Sequence, residues 1–260
     1  MRDKIMEPLS DFLEEARRVV STAQEKELIL RSLGAAAFRL HCSTSVPIHI
    51  AMGRELSDLD FAGYGKDRPR IERLFEELGY ETHASALAET QGLTPDRCFL
   101  YDVVNKRIVD VFFDHLEMCH TIDFSGRLEQ DYPTIPLADL LLEKLQIVRL
   151  NSKDIKDTVI LLLEHPVGNS DKETVNAQYI AKLMSVNWGF YYTVVANLGK
   201  IRLTLTMFEQ LSADQHKLVI SRIQELLDDI EKHPKSIQWK ARAKIGTKKK
   251  WYNDVEEVVR

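Results

Sequence analysis

The chain has 260 residues, of which 44% are hydrophobic and 29% charged, and its formal net charge at pH 7 is −5. This composition is that of an ordinary globular protein, and the length is enough for one large domain or two modest ones. The acidity argues against a general polycation, and no apolar run reaches the roughly 18–20 residues of a membrane span, so we expect no membrane partner.

Cysteine usage and the first residues predict the cellular compartment. The three cysteines, Cys42, Cys98 and Cys119, lie far apart and form no C-x-x-C pair, which argues against a disulfide framework and a structural zinc site. The first residues include acids and lack the apolar core of a signal peptide. We therefore expect a cytoplasmic protein.

Helical periodicity begins near the N-terminus. Apolar residues recur at helical spacing over residues 7–22, and Ser10 with Asp11 can cap the start. A second helical stretch is predicted from Thr22 to Leu33, and Gly34-Ala35 then opens a short helix. Small residues let backbone amides approach a ligand, and a helix N-terminus favours an anion such as phosphate. The alternative is a helix start packed tightly on a sheet.

The sequence Ser-Asp-Leu-Asp-Phe at residues 57–61 follows a predicted loop over residues 43–54. In a strand, Asp58 and Asp60 would project from one face while the apolar residues beside them enter the core. Two adjacent carboxylates repel unless a cation lies between them, and Mg²⁺ prefers carboxylate oxygens. The pattern therefore indicates either a metal site or a solvated strand end.

A strand pair is predicted in the next part of the chain. A helix is expected over residues 68–78, and residues 80–95 are weakly patterned as a strand and loop. Residues 98–103 and 107–113 have the pattern of two strands joined by a turn. Asp110 lies in the middle of the second strand among apolar residues, where a carboxylate is costly unless it is paired or bound to a cation.

Helical patterns dominate from Thr134 onward. The first of these helices places Lys144 within a broad apolar face, and the next begins with Asp154 and Asp157, three residues apart and so on one face. Such a pair can also simply complement the helix dipole. The turn-rich run 165–170 predicts a domain boundary. Further helices are expected at about residues 172–186, 188–198 and 212–232.

The C-terminal segment differs from the rest in charge. Residues 232–251 contain eight basic residues and no acids, with Trp239 and Trp251 among them. Basic side chains interleaved with aromatic rings can hold a phosphate backbone and stack on bases. The segment therefore indicates RNA as a partner, and the alternative is a solvated charged face, on a ribbon or a helix.

Three motifs follow one another along the chain: a glycine turn at Gly34-Ala35, the paired carboxylates of Asp58 and Asp60, and a third carboxylate at Asp110. The chain resembles nucleotidyltransferases of the polymerase-beta-like superfamily. The resemblance implies an α+β fold with a nucleotidyltransferase-type mixed sheet flanked by helices and a C-terminal mainly helical domain. It also implies that Gly34-Ala35 holds the phosphates of an NTP substrate, and that Asp58, Asp60 and Asp110 are catalytic and bind Mg²⁺ or Mn²⁺.

A closer similarity, over about residues 28–165, is to AbiEii-like proteins, the toxins of type IV toxin–antitoxin systems. It implies that Lys144 contacts the triphosphate and that Asp157 is a general base or a support for this lysine. The implied activity is nucleotidyl transfer to a hydroxyl of tRNA, with a protein or a small molecule such as an aminoglycoside as alternative acceptors and an antitoxin protein as a further partner. The implied domains are an N-terminal helix (1–27), a nucleotidyltransferase domain (28–168) and a mainly helical domain (169–260).

One departure from the family keeps a second interpretation open. Members of the family have Gly-Gly or Gly-Ser where this chain has Gly34-Ala35, so a serine hydroxyl contact to phosphate is missing. The alternative function is therefore a catalytically degenerate nucleotidyltransferase-fold module that binds nucleotide or RNA.

Overall fold

The computed structural model describes residues 6–82 and 96–255, so most of the predicted strand and loop at 80–95 lies outside the described residues. The chain forms two compact units, each assembled from separate segments. Unit 1 comprises Met1–His41, Glu55–Leu116 and Asp123–Pro136, and unit 2 comprises Cys42–Arg54, Glu117–Ile122 and Leu137–Arg260. The domain boundaries predicted at residues 28 and 169 stay predictions.

Unit 1 contains a five-stranded mixed sheet, which confirms the predicted α+β class. Its strands are β1 (Leu30–Leu33), β2 (Asp58–Gly63), β3 (Glu81–Thr82), β4 (Arg97–Asp102) and β5 (Arg107–Phe113). They are ordered β1-β2-β5-β4-β3. The β2–β5 pair is parallel, and the other pairs are antiparallel. The remaining strands are β6 (His115–Glu117), β7 (Thr121–Asp123), β8 (Val167–Gly168) and β9 (Val175–Asn176).

Helices make up most of the remaining structure. They are α1 (Phe12–Glu25), α2 (Gly34–His41), α3 (Val46–Ala51), α4 (Arg68–Glu77), α5 (Leu137–Leu145), α6 (Ser152–Glu164), α7 (Ala177–Val186), α8 (Trp188–Thr204), α9 (Ala213–Lys232) and α10 (Ile237–Ile245). Among the described residues, no helix is both long and apolar enough to span a membrane.

The core of unit 1 lies between its sheet and the helices α1 and α4. Leu59 and Phe61 are completely buried in this core, whereas Asp58 and Asp60 are only half-buried. The predicted alternation along β2 is therefore confirmed. Asp11 caps α1 by accepting hydrogen bonds from two backbone amides of the first turn, as its position predicts.

Two local predictions are wrong. The expected second helix up to Leu33 is replaced by β1, all four residues of which are buried. The short apolar run Leu28-Ile29-Leu30 that leads into β1 fits a buried strand as well as a helix, and here the pairing of β1 with β2 decides the outcome. The expected loop at 43–54 contains α3, where Pro47 lies in the first turn and its missing N–H removes no intrahelical bond.

Unit 2 is mainly helical, and α5 is buried along its whole length. The basic C-terminal segment contains the helix α10, so of the two predicted conformations, helix and ribbon, the helix is the one found. Elsewhere in unit 2, the buried ring of His120 stacks on Phe190 at a centroid distance of 4.9 Å. Its Nε2 atom lies 2.8 Å from the hydroxyl of Thr193.

The burial of His120 predicts a loss of stability in mild acid. Burial lowers the pKa of His120 from 6.5 to about 4. Between these two pH values, His120 is protonated in the unfolded chain but not in the folded chain. Above pH 6.5 the imidazole is neutral in both states, and its burial leaves the free energy of unfolding unchanged by pH. As the pH drops to about 4, the free energy of unfolding falls by up to about 3 kcal/mol. Urea unfolding at about pH 7 and pH 4.5 should show a smaller acid-induced loss in His120→Gln than in wild type. The partly exposed His233 supplies the control His233→Gln, which should behave like wild type, and an equal loss in all three proteins would contradict the account.

Candidate functional site

The carboxylates of Asp58, Asp60 and Asp110 lie on one face of the sheet in unit 1. Asp60 pairs directly with Asp110 across the parallel strands β2 and β5, and Asp58 pairs with Ile108 two positions earlier. Directly paired residues share a sheet face, as do residues two apart along a strand. Adjacent strands are about 4.8 Å apart, so Asp60 and Asp110 are close enough to share one cation.

Gly34 lies against the carboxylate of Asp60. The last residue of β1, Leu33, pairs with Asp60, and Gly34 follows it as the first residue of α2. A Cβ atom built on Gly34 would lie only 2.2 Å from Asp60 Oδ2, and the backbone φ of Gly34 is +69°. Both the conformation and the space therefore require glycine. The fold thus brings the predicted glycine turn, including the buried Ala35, to the predicted aspartate pair.

Asp110 is buried, and it forms an ion pair that the sequence analysis missed. Its Oδ2 atom accepts a hydrogen bond from Arg97 Nη2 at 2.8 Å, and Asp110 is only 1% exposed. The guanidinium of Arg97 lies over the rings of Phe99 and Phe112, with centroid distances of 4.3 and 4.6 Å. Arg97 therefore supplies the positive charge that a buried carboxylate requires and fixes the orientation of Asp110.

The antiparallel register of β4 and β5 is the feature from which the contact between Arg97 and Asp110 could be predicted. Phe99 pairs with Asp110, so Arg97 projects from the same face two residues before Phe99 and lies diagonal to Asp110. Deriving that contact requires the exact length of the turn between the strands as well as the strand pattern. The pattern alone predicts the strands but not this pair.

Lys144 and Asp157, the other predicted site residues, lie together in unit 2. The ammonium of Lys144 is 2.6 Å from Glu143 Oε1 and 3.5 Å from Asp157 Oδ2. Lys144 is only 9% exposed and Asp157 is completely buried. Burial opposes protonation of Lys144, but the charges of Glu143 and Asp157 outweigh it and raise the pKa of the lysine.

Asp157 is the centre of this buried network, which we call the Asp157 cluster (His49, Arg54, Glu143, Lys144 and Asp157). Its Oδ1 atom lies 2.9 Å from His49 Nε2 and 2.9 Å from Arg54 Nε, and its Oδ2 atom lies 3.1 Å from Arg54 Nη2. Burial alone would raise the pKa of Asp157, but the hydrogen bond with His49 and the charges of Lys144 and Arg54 hold it well below the usual range. Asp157 is therefore a fixed anion near neutral pH.

Asp154 has a separate, structural task. It forms a capping box with Asn151, since the Asn151 side chain accepts from the Asp154 amide while the Asp154 carboxylate accepts from the Asn151 amide. Burial raises the pKa of Asp154. Asp154 therefore stabilises the start of α6, whereas Asp157 pairs with the cations of the Asp157 cluster.

Comparison with known proteins adds no identification. The chain matches no protein-family model, and it matches no curated protein. The nucleotidyltransferase assignment therefore depends on the resemblance of its motifs and on the arrangement of the residues described above.

The contact between Gly34 and Asp60 predicts an unusually costly alanine substitution. Gly126 offers a matched control in unit 1, since its φ is +68° and a built Cβ meets nothing within 4 Å. Gly126→Ala should cost about 1–2 kcal/mol from backbone conformation alone. Gly34→Ala should cost about 1–3 kcal/mol more, because the Asp60 carboxylate must move.

Urea unfolding of both alanine variants measures this difference. In an Asp60→Ala background, the excess cost of Gly34→Ala should shrink, since the atom nearest to the new Cβ is gone. Equal costs for Gly34→Ala and Gly126→Ala would contradict the close approach.

The Asp157 cluster predicts a large effect of neutralising its central carboxylate. Asp157→Asn should destabilise the protein by about 3–5 kcal/mol, because Arg54 and Lys144 would each lose a buried partner charge. The control is Asp228→Asn in an exposed ion pair on α9, where Asp228 Oδ2 lies 3.9 Å from Lys232 Nζ. This substitution should cost less than about 0.5 kcal/mol. Chemical denaturation measures both variants, and similar small costs would show that the cluster is not stabilising.

Proposed function

We propose that this protein is a metal-dependent nucleotidyltransferase that moves a nucleotidyl group from an NTP to a hydroxyl acceptor. The observation that carries the proposal is the shared sheet face of Asp58, Asp60 and Asp110, with Gly34 of the α2 N-terminus packed against Asp60. This arrangement supports a site for a divalent cation next to a site for phosphate.

The donor set fits a hard divalent cation. Carboxylate oxygens are the protein ligands that Mg²⁺ and Mn²⁺ prefer, and Asp58 and Asp60 are half-buried rather than enclosed in the core. The absence of a Cβ on Gly34 makes room for the Asp60 carboxylate beside the N-terminus of α2. When bound, the cation would neutralise phosphate charge and make the acceptor hydroxyl easier to deprotonate.

The residues of unit 1 have separable tasks in this proposal. Asp58 and Asp60 hold the cation, and Asp110 holds it from the neighbouring strand and helps to activate the acceptor. Arg97 is a positioning residue, since its hydrogen bond fixes Asp110 Oδ2. The N-terminus of α2, at Gly34 and Ala35, carries the positive end of the helix dipole and favours the nucleotide phosphates.

For Asp157, the cluster favours support of Lys144 over general-base catalysis. An effective base has a pKa near the working pH, whereas the pKa of Asp157 is lowered and its carboxylate is completely buried. The ion pairs of Glu143 and Asp157 together keep Lys144 protonated in unit 2. The contact between Lys144 and the triphosphate stays a prediction, as do the toxin role and the antitoxin partner.

A labelling assay tests the proposal. Wild-type protein, incubated with labelled NTPs, Mg²⁺ and total tRNA, should transfer label, and Asp58→Asn/Asp60→Asn should reduce transfer at least about a hundredfold because two ligands of the cation become neutral. The exposed strand residue Asp123 provides the control Asp123→Asn, which should retain wild-type transfer.

The same samples separate catalysis from the alternative binding module. That module would bind nucleotide in calorimetry without any need for Mg²⁺ and release no pyrophosphate. Wild-type transfer by the double variant, or nucleotide binding that is indifferent to Mg²⁺, would overturn the proposed function.

A further inference from the structure

The basic C-terminal segment is packed onto α8 in unit 2 rather than attached loosely. A Cβ atom on Gly189 would lie 2.6 Å from the carbonyl oxygen of Trp251, so glycine permits a close backbone approach. The indole Nε1 of Trp251 donates to Thr193 Oγ1 at 3.1 Å. The amide of Asn253 donates to the carbonyl of Cys119 at 3.0 Å. These contacts give the segment a defined position.

Arg242 fixes the turn that carries the last lysines. Its Nη1 atom donates to the carbonyl of Gly246 at 2.7 Å, and its Nη2 atom donates to that of Lys249 at 2.8 Å. The guanidinium also lies over the ring of Trp188, 4.6 Å from its centroid. Because these bonds hold backbone carbonyls, the side chains of the lysines project from a braced turn.

A pocket of about 570 Å³ lies beside this turn. Its lining combines aromatic rings, side-chain amides and cations, including Asn187, Trp188, Gln238, Trp239, Lys250 and Trp251. Such a volume is within the range of about 300–1,000 Å³ that is typical of small-molecule sites, and it is ample for a nucleobase. Indole rings offer stacking surfaces to any base, and amides can bond to base edges and to ribose hydroxyls.

The charge around the pocket matches a polyanion. Between Lys235 and Lys250 there are seven basic residues and no acids, in a chain whose net charge is −5. Lys248, Lys249 and Lys250 are exposed on the braced turn, and the ammonium of Lys250 also pairs with Asp254. Exposed lysines on a turn beside an aromatic pocket, one of which, Lys250, lines it, suit a chain that alternates bases with phosphates. They suit an acidic peptide less well, because it would leave the stacking surfaces unused.

We propose that this pocket binds single-stranded RNA, with a base against Trp239 and the flanking phosphates on Lys248, Lys249 and Lys250. This binding requires neither NTP nor Mg²⁺, so it goes beyond the proposed function and does not depend on it. Base pairing removes bases from stacking, so duplex RNA binds more weakly at this pocket. The Oδ1 atom of Asn187 caps α8 by accepting from the Phe190 amide. Its Nδ2 group and the side-chain amide of Gln238 provide partners for the ribose 2′-hydroxyl, so RNA binds more tightly than DNA.

Fluorescence anisotropy with a labelled single-stranded RNA of about ten nucleotides tests the pocket, using the full chain without NTP or Mg²⁺. Trp239→Ala should lose about tenfold or more in affinity, and Trp239→Phe should retain most of it. Lys248→Ser/Lys249→Ser/Lys250→Ser should reduce the slope of log affinity against log salt by about two, since each phosphate contact contributes about 0.7. Circular dichroism establishes that the variants are folded.

The exposed lysines Lys172, Lys182 and Lys217, elsewhere in unit 2, provide a charge-matched control. Their triple serine variant should keep the wild-type salt slope. No binding by wild type, equal affinity of Trp239→Ala, an unchanged slope in the Lys248–Lys250 variant, or equal affinity for DNA of the same sequence would overturn the inference. If wild type binds RNA in the expected way but labels no acceptor, the proposed function fails and the inference stands.

Discussion

The parallel pairing of β2 and β5 is the constraint on which the candidate site depends. One register places Asp60 beside Asp110 and leaves Asp58 on the same face, and a shift by one residue would turn Asp110 to the other face of the sheet. The burial of Val109 and Val111, the neighbours of Asp110 on β5, opposes such a shift, since it would turn both side chains away from the core of unit 1. Core packing therefore determines which carboxylates meet.

The aspartates of the candidate site and of the Asp157 cluster fall into two electrostatic classes. Buried ones have cationic partners supplied by the chain itself: Asp110 has Arg97, and Asp157 has Arg54 and Lys144. Asp58 and Asp60 are instead half-buried on the face that Gly34 approaches. This contrast separates charges that stabilise the fold from charges suited to a ligand, and Asp110 links the two because it is both paired and adjacent to Asp60.

The sequence predicts local features well and distant partners poorly. Alternation predicts the faces of β2, and apolar runs predict the β4–β5 hairpin, because both depend on neighbours in sequence. The helix predicted up to Leu33 is wrong for Leu30–Leu33. These four residues, with a leucine at each end, become a strand only through pairing with β2. His49 and Arg54 are missed because their partner, Asp157, is 108 and 103 residues away. Such ion pairs are properties of the tertiary fold that no local pattern encodes.

The most direct measurement of the central claim is the position of a bound cation. Crystals grown with Mn²⁺ and a non-hydrolysable NTP would locate the metal by its anomalous scattering. The proposed site predicts a peak at about 2.2 Å from carboxylate oxygens of Asp58, Asp60 and Asp110, with the nucleotide phosphates next to the N-terminus of α2. Nucleotide bound without a metal peak at these three residues, or a peak elsewhere on the chain, would contradict it.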